Sequence, residues 1–146
     1  MQKLKIAILS YRSAPFGGGQ GIYIHDISKA LSLMGHQVDV ISGPPYPNLS
    51  EKINLIKLPG LNLFQTFSFK ERLKIFIKKK NKRAIDFYEF FSTFFGGFPE
   101  MRTFGERAKE FLDQNHHYDI VIDNQSVSYG MLKIQKKFPL LEIIHH

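Results

Sequence analysis

The strongest constraint on this chain is the order of signals across residues 4–42: an apolar run, a glycine cluster, an amphipathic helical pattern and a second apolar run. The first run, residues 4–10, is short, apolar and bounded by polar residues, as a strand buried on both faces of a parallel sheet should be. The cluster Gly17-Gly18-Gly19-Gln20-Gly21 follows. Ile24, Ile27, Leu31 and Met34 then recur at three- and four-residue spacing, and Gly35 is placed to stop that helix. Residues 36–42 read as a second strand, ended by Gly43-Pro44-Pro45. Strand, glycine turn, helix, strand is a right-handed βαβ unit, the opening of a doubly wound α/β sheet.

The rest of the chain extends this plan. Residues 53–58 read as a third strand stopped by Pro59-Gly60, and 69–95 as a long helical region, whole or broken. A turn at 96–99 precedes a helix near 101–115, a strand over 118–123, a short helix over 129–137 and a final strand over 140–144. The fold expected is therefore a Rossmann-like, doubly wound, mainly parallel sheet with helices on both faces. A length of 146 residues suits one domain of ordinary size, and 43% hydrophobic residues suffice for its core. There is no cysteine, which excludes a disulfide framework and thiolate chemistry and fits a reducing cytosol. The opening apolar run is too short for a signal peptide, and no apolar stretch approaches the ~20 residues needed to span a bilayer. A cytoplasmic protein, soluble or peripheral on the inner face of a membrane, is expected.

The charge is concentrated. The chain carries a formal +7, and residues 70–83 hold eight Lys or Arg against Glu71 alone, a local +7; the remainder has twelve bases and twelve acids. A partner of this segment would be anionic and local. Phe69, Leu73, Phe76, Ile77 and Ala84 keep helical spacing while Lys70, Lys74, Lys78 and Lys82 recur every four residues, with Lys79 beside them. Seven aromatics follow within 87–98. This is either a basic amphipathic helix for an anionic membrane surface, or a solvated lysine face over aromatics that pack into the sheet. Nucleic acid is not expected, because no recognised binding motif surrounds the patch.

Candidate chemistry lies where the strands end. Glycines let the backbone approach a ligand closely, and the helix behind Gly18, Gly19, Gln20 and Gly21 offers free amides and a positive dipole end suited to phosphate or a sugar hydroxyl. The alternative is a plain strand-to-helix turn. A phosphate loop of the Gly-Lys-Ser/Thr type is absent, and the third glycine of a dinucleotide fingerprint would fall at Ile22 or Ile24. Asp39 lies within its strand rather than at the end, so a nicotinamide-dependent fragment ranks below the other readings. Asn124 and Gln125 close the strand over 118–123 and either contact an acceptor or cap the loop. His145 and His146 stand at the end of the last strand. They are ligand-facing residues, strand-end residues, or the beginning of a purification tag. His36 is a turn residue, and no metal-ligand cluster is apparent.

Gly18-Gly19-Gln20-Gly21-Ile22-Tyr23 and Gly35-His36-Gln37-Val38-Asp39-Val40 resemble the opening of the family-4 retaining glycosyltransferases. The likeness continues through Gly43-Pro44-Pro45-Tyr46-Pro47, Gly97-Phe98-Pro99-Glu100 and Asp123-Asn124-Gln125 to Ile143-Ile144-His145-His146, nearly the whole chain. The resemblance implies one half of a GT-B architecture, two Rossmann-like domains facing across a cleft. It implies that residues 1–146 form the acceptor-side domain, with most contacts to a nucleotide-sugar donor coming from a C-terminal domain beyond this chain. It further implies metal-independent transfer without a bound cofactor, to a sugar or lipid-linked acceptor. His145 matches the active-site histidine that hydrogen-bonds the donor sugar, with His146 the alternative at a one-residue slip. A non-catalytic membrane-surface or interaction module remains the rival class. Activity of the isolated chain is not expected.

Overall fold

The computed structural model describes residues 2–15 and 18–145. Among them five strands form one parallel sheet: β1 (Lys5–Ser10), β2 (Gln37–Ser42), β3 (Asn54–Lys57), β4 (Ile120–Asn124) and β5 (Leu140–Ile143), in the spatial order β3-β2-β1-β4-β5. All four pairings are parallel, with Ile8 opposite Val40 on one side and Ile122 on the other. The order runs outward from β1 in both directions, so the topology reverses between β1 and β4. In an open α/β sheet, ligands bind at that reversal, beyond the carboxyl ends of the strands.

The pleat explains why β1 is apolar throughout. Ile6 and Ile8 face one side and meet Val38, Val40 and Ile122 together with Ile24, Ile27 and Leu31 of α1 (Gly19–Leu33). Ala7 and Leu9 face the other side and join Phe104, Ala108 and Leu112 of α4 (Pro99–Gln114) and Met131 and Ile134 of α5 (Tyr129–Ile134). A strand covered on both faces loses the polar alternation of a half-exposed one.

The helical region expected over 69–95 is broken into α2 (Phe69–Lys78), α3 (Ala84–Ser92) and a 3-10 turn at Thr93–Phe95. Neither proline nor glycine makes the break. Lys79 and Arg83 are extended, and the Lys82 ammonium donates to the carbonyls of Ile77 and Lys79 at 3.1 and 2.7 Å, closing the end of α2. The Asp86 carboxylate accepts the Arg83 amide at 2.8 Å, satisfying a donor at the entry to α3. Buried ion pairs then lock this hairpin to α4: Arg107 donates to Asp86 at 2.8 Å and to Glu89 at 2.7 Å, while Lys79 reaches Asp86 at 2.5 Å. Glu89 also accepts the Leu61 amide at 2.8 Å. Burial alone would push the Asp86 carboxyl up, but Lys79, the Arg83 amide and Arg107 together hold it below the usual carboxylate range.

Asp39 sits inside β2 with both oxygens engaged, one by the Tyr118 hydroxyl at 2.7 Å and one by Asn54 at 3.2 Å. It joins strands and is not free for a ribose. His36 accepts the Leu4 amide at 3.2 Å, a structural turn contact. No helix among the described residues is long and apolar enough to cross a membrane.

Candidate active site

Five side chains from three elements converge at the carboxyl edge beside the β1–β4 reversal. Asn124 is the last residue of β4 and fully buried. Its amide oxygen lies 2.7 Å from Nε2 of His145, just beyond β5. An amide oxygen only accepts, so this contact keeps the proton on Nε2. Gln125 donates to the His145 carbonyl at 3.3 Å and accepts from Gln20 of α1 at 3.3 Å. Tyr23, one turn further along α1, places its ring edge-to-face with the His145 imidazole at 4.7 Å between centroids. Gln20, Asn124, Gln125 and His145 were all legible as candidates, and the fold brings them together. Tyr23 was missed as a site residue. Its spacing of three from Gln20 puts the two on one helix face and was the available signal.

The loop after β4 is held in an unusual shape. Asp123, buried at the end of the strand, accepts the Ser126 hydroxyl at 2.7 Å and the amides of Ser126 and Val127 at 3.0 and 3.2 Å. Burial pushes its carboxyl up, against those three bonds, and Glu142 adds to the rise. Loop capping therefore falls to Asp123, which leaves Asn124 and Gln125 for the cluster. Gln125 and Val127 have φ of 58° and 41°. A positive φ is costly for a β-branched residue and persists only where neighbours enforce it. One buried polar atom in the cluster, Nδ2 of Asn124, has no partner among the described residues.

The glycines divide the work. Gly18 sits at φ 94°, where L side chains are strained, and α1 begins there without a side-chain cap. A Cβ on Gly21 would lie 2.1 Å from the Ala14 carbonyl oxygen, so this glycine allows α1 to pack on the preceding loop. Gly19 would meet nothing within 4 Å. Among the described residues its bareness serves no packing need and leaves open space at the start of α1. Gly17 and His146 lie outside the described residues.

The lysine set departs from the expected one. Lys70, Lys74 and Lys78 line the exposed side of α2, but Lys79 is bound to Asp86 and Lys82 to backbone carbonyls. Their helical spacing was misleading, because the helix ends at Lys78. Lys80 is exposed and, among the described residues, makes no ion pair, as do Lys70, Lys74 and Lys78. The described residues contain no group of three potential metal ligands.

No protein-family profile matches the chain. It is similar to the MMP alpha-(1->4)-mannosyltransferase of Mycolicibacterium hassiacum, 40% identical over 146 residues. A solved structure, the C-terminal domain of a Pyrococcus furiosus hydrogenase, covers 100% of the chain at 15% identity with a TM-score of 0.48, and that protein is 95% covered in return. This second likeness is too loose to bear on function. The first extends over 98% of the chain and 35% of the mannosyltransferase, so the chain spans about a third of the length of the curated relative it resembles.

Proposed function

We propose that this chain is the acceptor-side half of a retaining, GT-B glycosyltransferase of the family-4 type, transferring a mannosyl residue from a nucleotide sugar to a sugar or lipid-linked acceptor. The observation that carries the reading is the Asn124–His145 pair at the carboxyl edge, set against the uncapped start of α1. It is supported by 40% identity to part of a mannosyltransferase.

In transfer, the bond from the sugar's anomeric carbon to phosphate breaks, a bond to an acceptor oxygen forms, and the acceptor's proton leaves with the phosphate. The protein's share is to orient the sugar and stabilise charge as it develops. Asn124 fixes the imidazole of His145, Tyr23 packs against it, and Gln125, itself held by Gln20, anchors its backbone. The first amides of α1 offer donors and a positive dipole end to an anionic or hydroxyl-rich ligand. The C-terminal domain supplies the remaining donor contacts. The nicotinamide reading has less support, since Asp39 is occupied within β2.

The test is transfer by the full-length protein from a panel of nucleotide sugars, with mannosylated product read by mass spectrometry. His145→Ala should lower kcat by roughly 100-fold or more if the imidazole meets the transition state. A folded full-length protein that transfers no sugar from any donor sinks the proposal.

A further inference from the structure

The α2–α3 hairpin carries a surface that the transfer chemistry does not use. Helix α2 has no buried residue, although Leu73, Ile75 and Phe76 lean on the small cluster of Leu61, Leu63 and Phe90. Around it, aromatic rings face outward: Phe67 and Phe95 are 88% and 89% exposed, and Phe98 is 70% exposed. Phe69, Phe91 and Phe94 are each about half exposed and adjoin, with ring centroids 5.6 Å apart for Phe69–Phe94 and 6.5 Å for Phe91–Phe94. Water-exposed phenylalanines in such number form an apolar patch of the kind that marks a binding surface.

Charge identifies the partner. Lys70, Lys74 and Lys78 recur every four residues along the exposed side of α2, with Ile77, 63% exposed, among them. Lys80 continues the row into the break, and among the described residues none of these four has a carboxylate partner. The segment's two arginines are both paired within the chain, Arg72 with the Thr66 carbonyl at 2.6 Å and the exposed Arg83 with Glu110. What remains outward and unpaired is lysine and apolar ring, without free arginine forks of the kind that read bases or grip single phosphates. Lysines suit a diffuse anionic surface, and phenylalanines suit the acyl boundary beneath it.

We infer that the α2–α3 hairpin docks this protein on an anionic lipid bilayer, with Lys70, Lys74, Lys78 and Lys80 on the headgroups and the exposed rings of Phe67, Phe95 and Phe98 entering the interface. The docked face adjoins the carboxyl edge of the sheet. Phe98 lies 6.0 Å from Phe64, whose ring carries the Arg12 guanidinium at 3.5 Å, and Arg12 follows β1. An open groove of about 350 Å³, lined in part by Phe64, Phe67 and Phe98, spans the interval. Docking does not depend on the transfer reaction, and its test contains no enzymatic readout.

The full chain is sedimented with vesicles of phosphatidylcholine alone and with vesicles containing about one-third phosphatidylglycerol, a single-stranded oligonucleotide serving as a second ligand. It should pellet with the anionic vesicles only, less so as salt rises and the Debye length falls from about 10 to 3 Å. Changing Lys70, Lys74, Lys78 and Lys80 to Gln should weaken partition about fivefold per lysine, several-hundred-fold together. Phe95→Ser with Phe98→Ser should weaken it at least about tenfold, with the melting curve unchanged because both rings already face water. Equal pelleting with both vesicle types, or undiminished pelleting of the lysine variant, overturns the inference. Tighter binding to the oligonucleotide, or self-association through the rings without pelleting, overturns it as well.

Discussion

Gly21→Ala and Gly19→Ala should have opposite effects, although the two glycines stand two residues apart in one turn. A methyl on Gly21 would lie 2.1 Å from the Ala14 carbonyl oxygen and 3.1 Å from its carbon. Both are backbone atoms, so no side chain can swing aside; α1 or the loop before it must move by roughly 1 Å to restore an ordinary contact. Overpacking of that kind costs typically 1–3 kcal/mol, and the gain from replacing glycine in a helix returns up to about 1 kcal/mol. A backbone contact this close takes the upper end of that range, about 3 kcal/mol, so the net expected loss is about 2 kcal/mol. For a domain of this size roughly 3–4 °C accompanies each kcal/mol, so Tm should fall by about 6–8 °C. At Gly19 the methyl meets nothing within 4 Å, and Tm should hold or rise slightly. Thermal unfolding followed by circular dichroism on both variants measures the difference. Equal shifts, or a stable Gly21→Ala, would refute the argument that Gly21 is kept for close approach. Activity should separate the pair the other way. On the proposed function, Gly19→Val in the full-length protein should keep its fold yet lose most transfer, because the side chain enters space that is open beside Gly19.

Other outcomes follow from the same geometry. On the proposed function, Asn124→Ala should lower kcat as His145→Ala should, and the double variant should lose little more; additive losses would separate the two residues. Arg107→Met leaves Asp86 and Glu89 buried with fewer partners, and should cost about 3–5 kcal/mol in urea unfolding. Lys109 and then Lys137 hold the Asp113 carboxyl down at about 2, so its contribution to stability is present above its unfolded pKa of about 3.9 and lost as pH falls toward 2. Asp113→Asn should flatten that acid limb, as should high salt, in unfolding curves recorded against pH. Calorimetry on the isolated chain should show weak or no binding of nucleotide sugars, and a Kd of about 1 µM or tighter would place the proposed donor site on this chain.

The βαβ opening could be read from the sequence because each of its signals is local. The apolar run in β1, the glycines before α1 and the 3.6-residue spacing of Ile24, Ile27 and Leu31 need no distant partner. The gathering of Asn124, Gln125 and His145 followed from a topological rule, since strand ends of a parallel sheet share one edge. What stayed hidden depends on contacts across the chain. Lys78 and Lys82 look equivalent when spacing is counted, yet the helix stops between them because Asp86 and Arg107 take hold of the segment that follows. Nothing in residues 79–83 announces the stop with proline or glycine. Likewise, Gly19 and Gly21 are indistinguishable as letters; only the return of the Ala14 carbonyl toward α1 shows which cannot bear a methyl.

The sheet order has a bearing on handling. Strand β5 is paired along one side only, by β4, and among the described residues its other side is open. The opposite border, β3, is guarded by exposed Lys57 and Asn54, whereas Leu141 and Ile144 at β5 are 50% and 59% exposed. A row of unsatisfied amides and carbonyls flanked by apolar side chains is a template for any extended chain that meets it. Expressed by itself, this segment should therefore associate through β5 as concentration rises. A solubilising charge at Leu141, introduced as Leu141→Lys, should suppress that assembly while leaving the inner strands undisturbed.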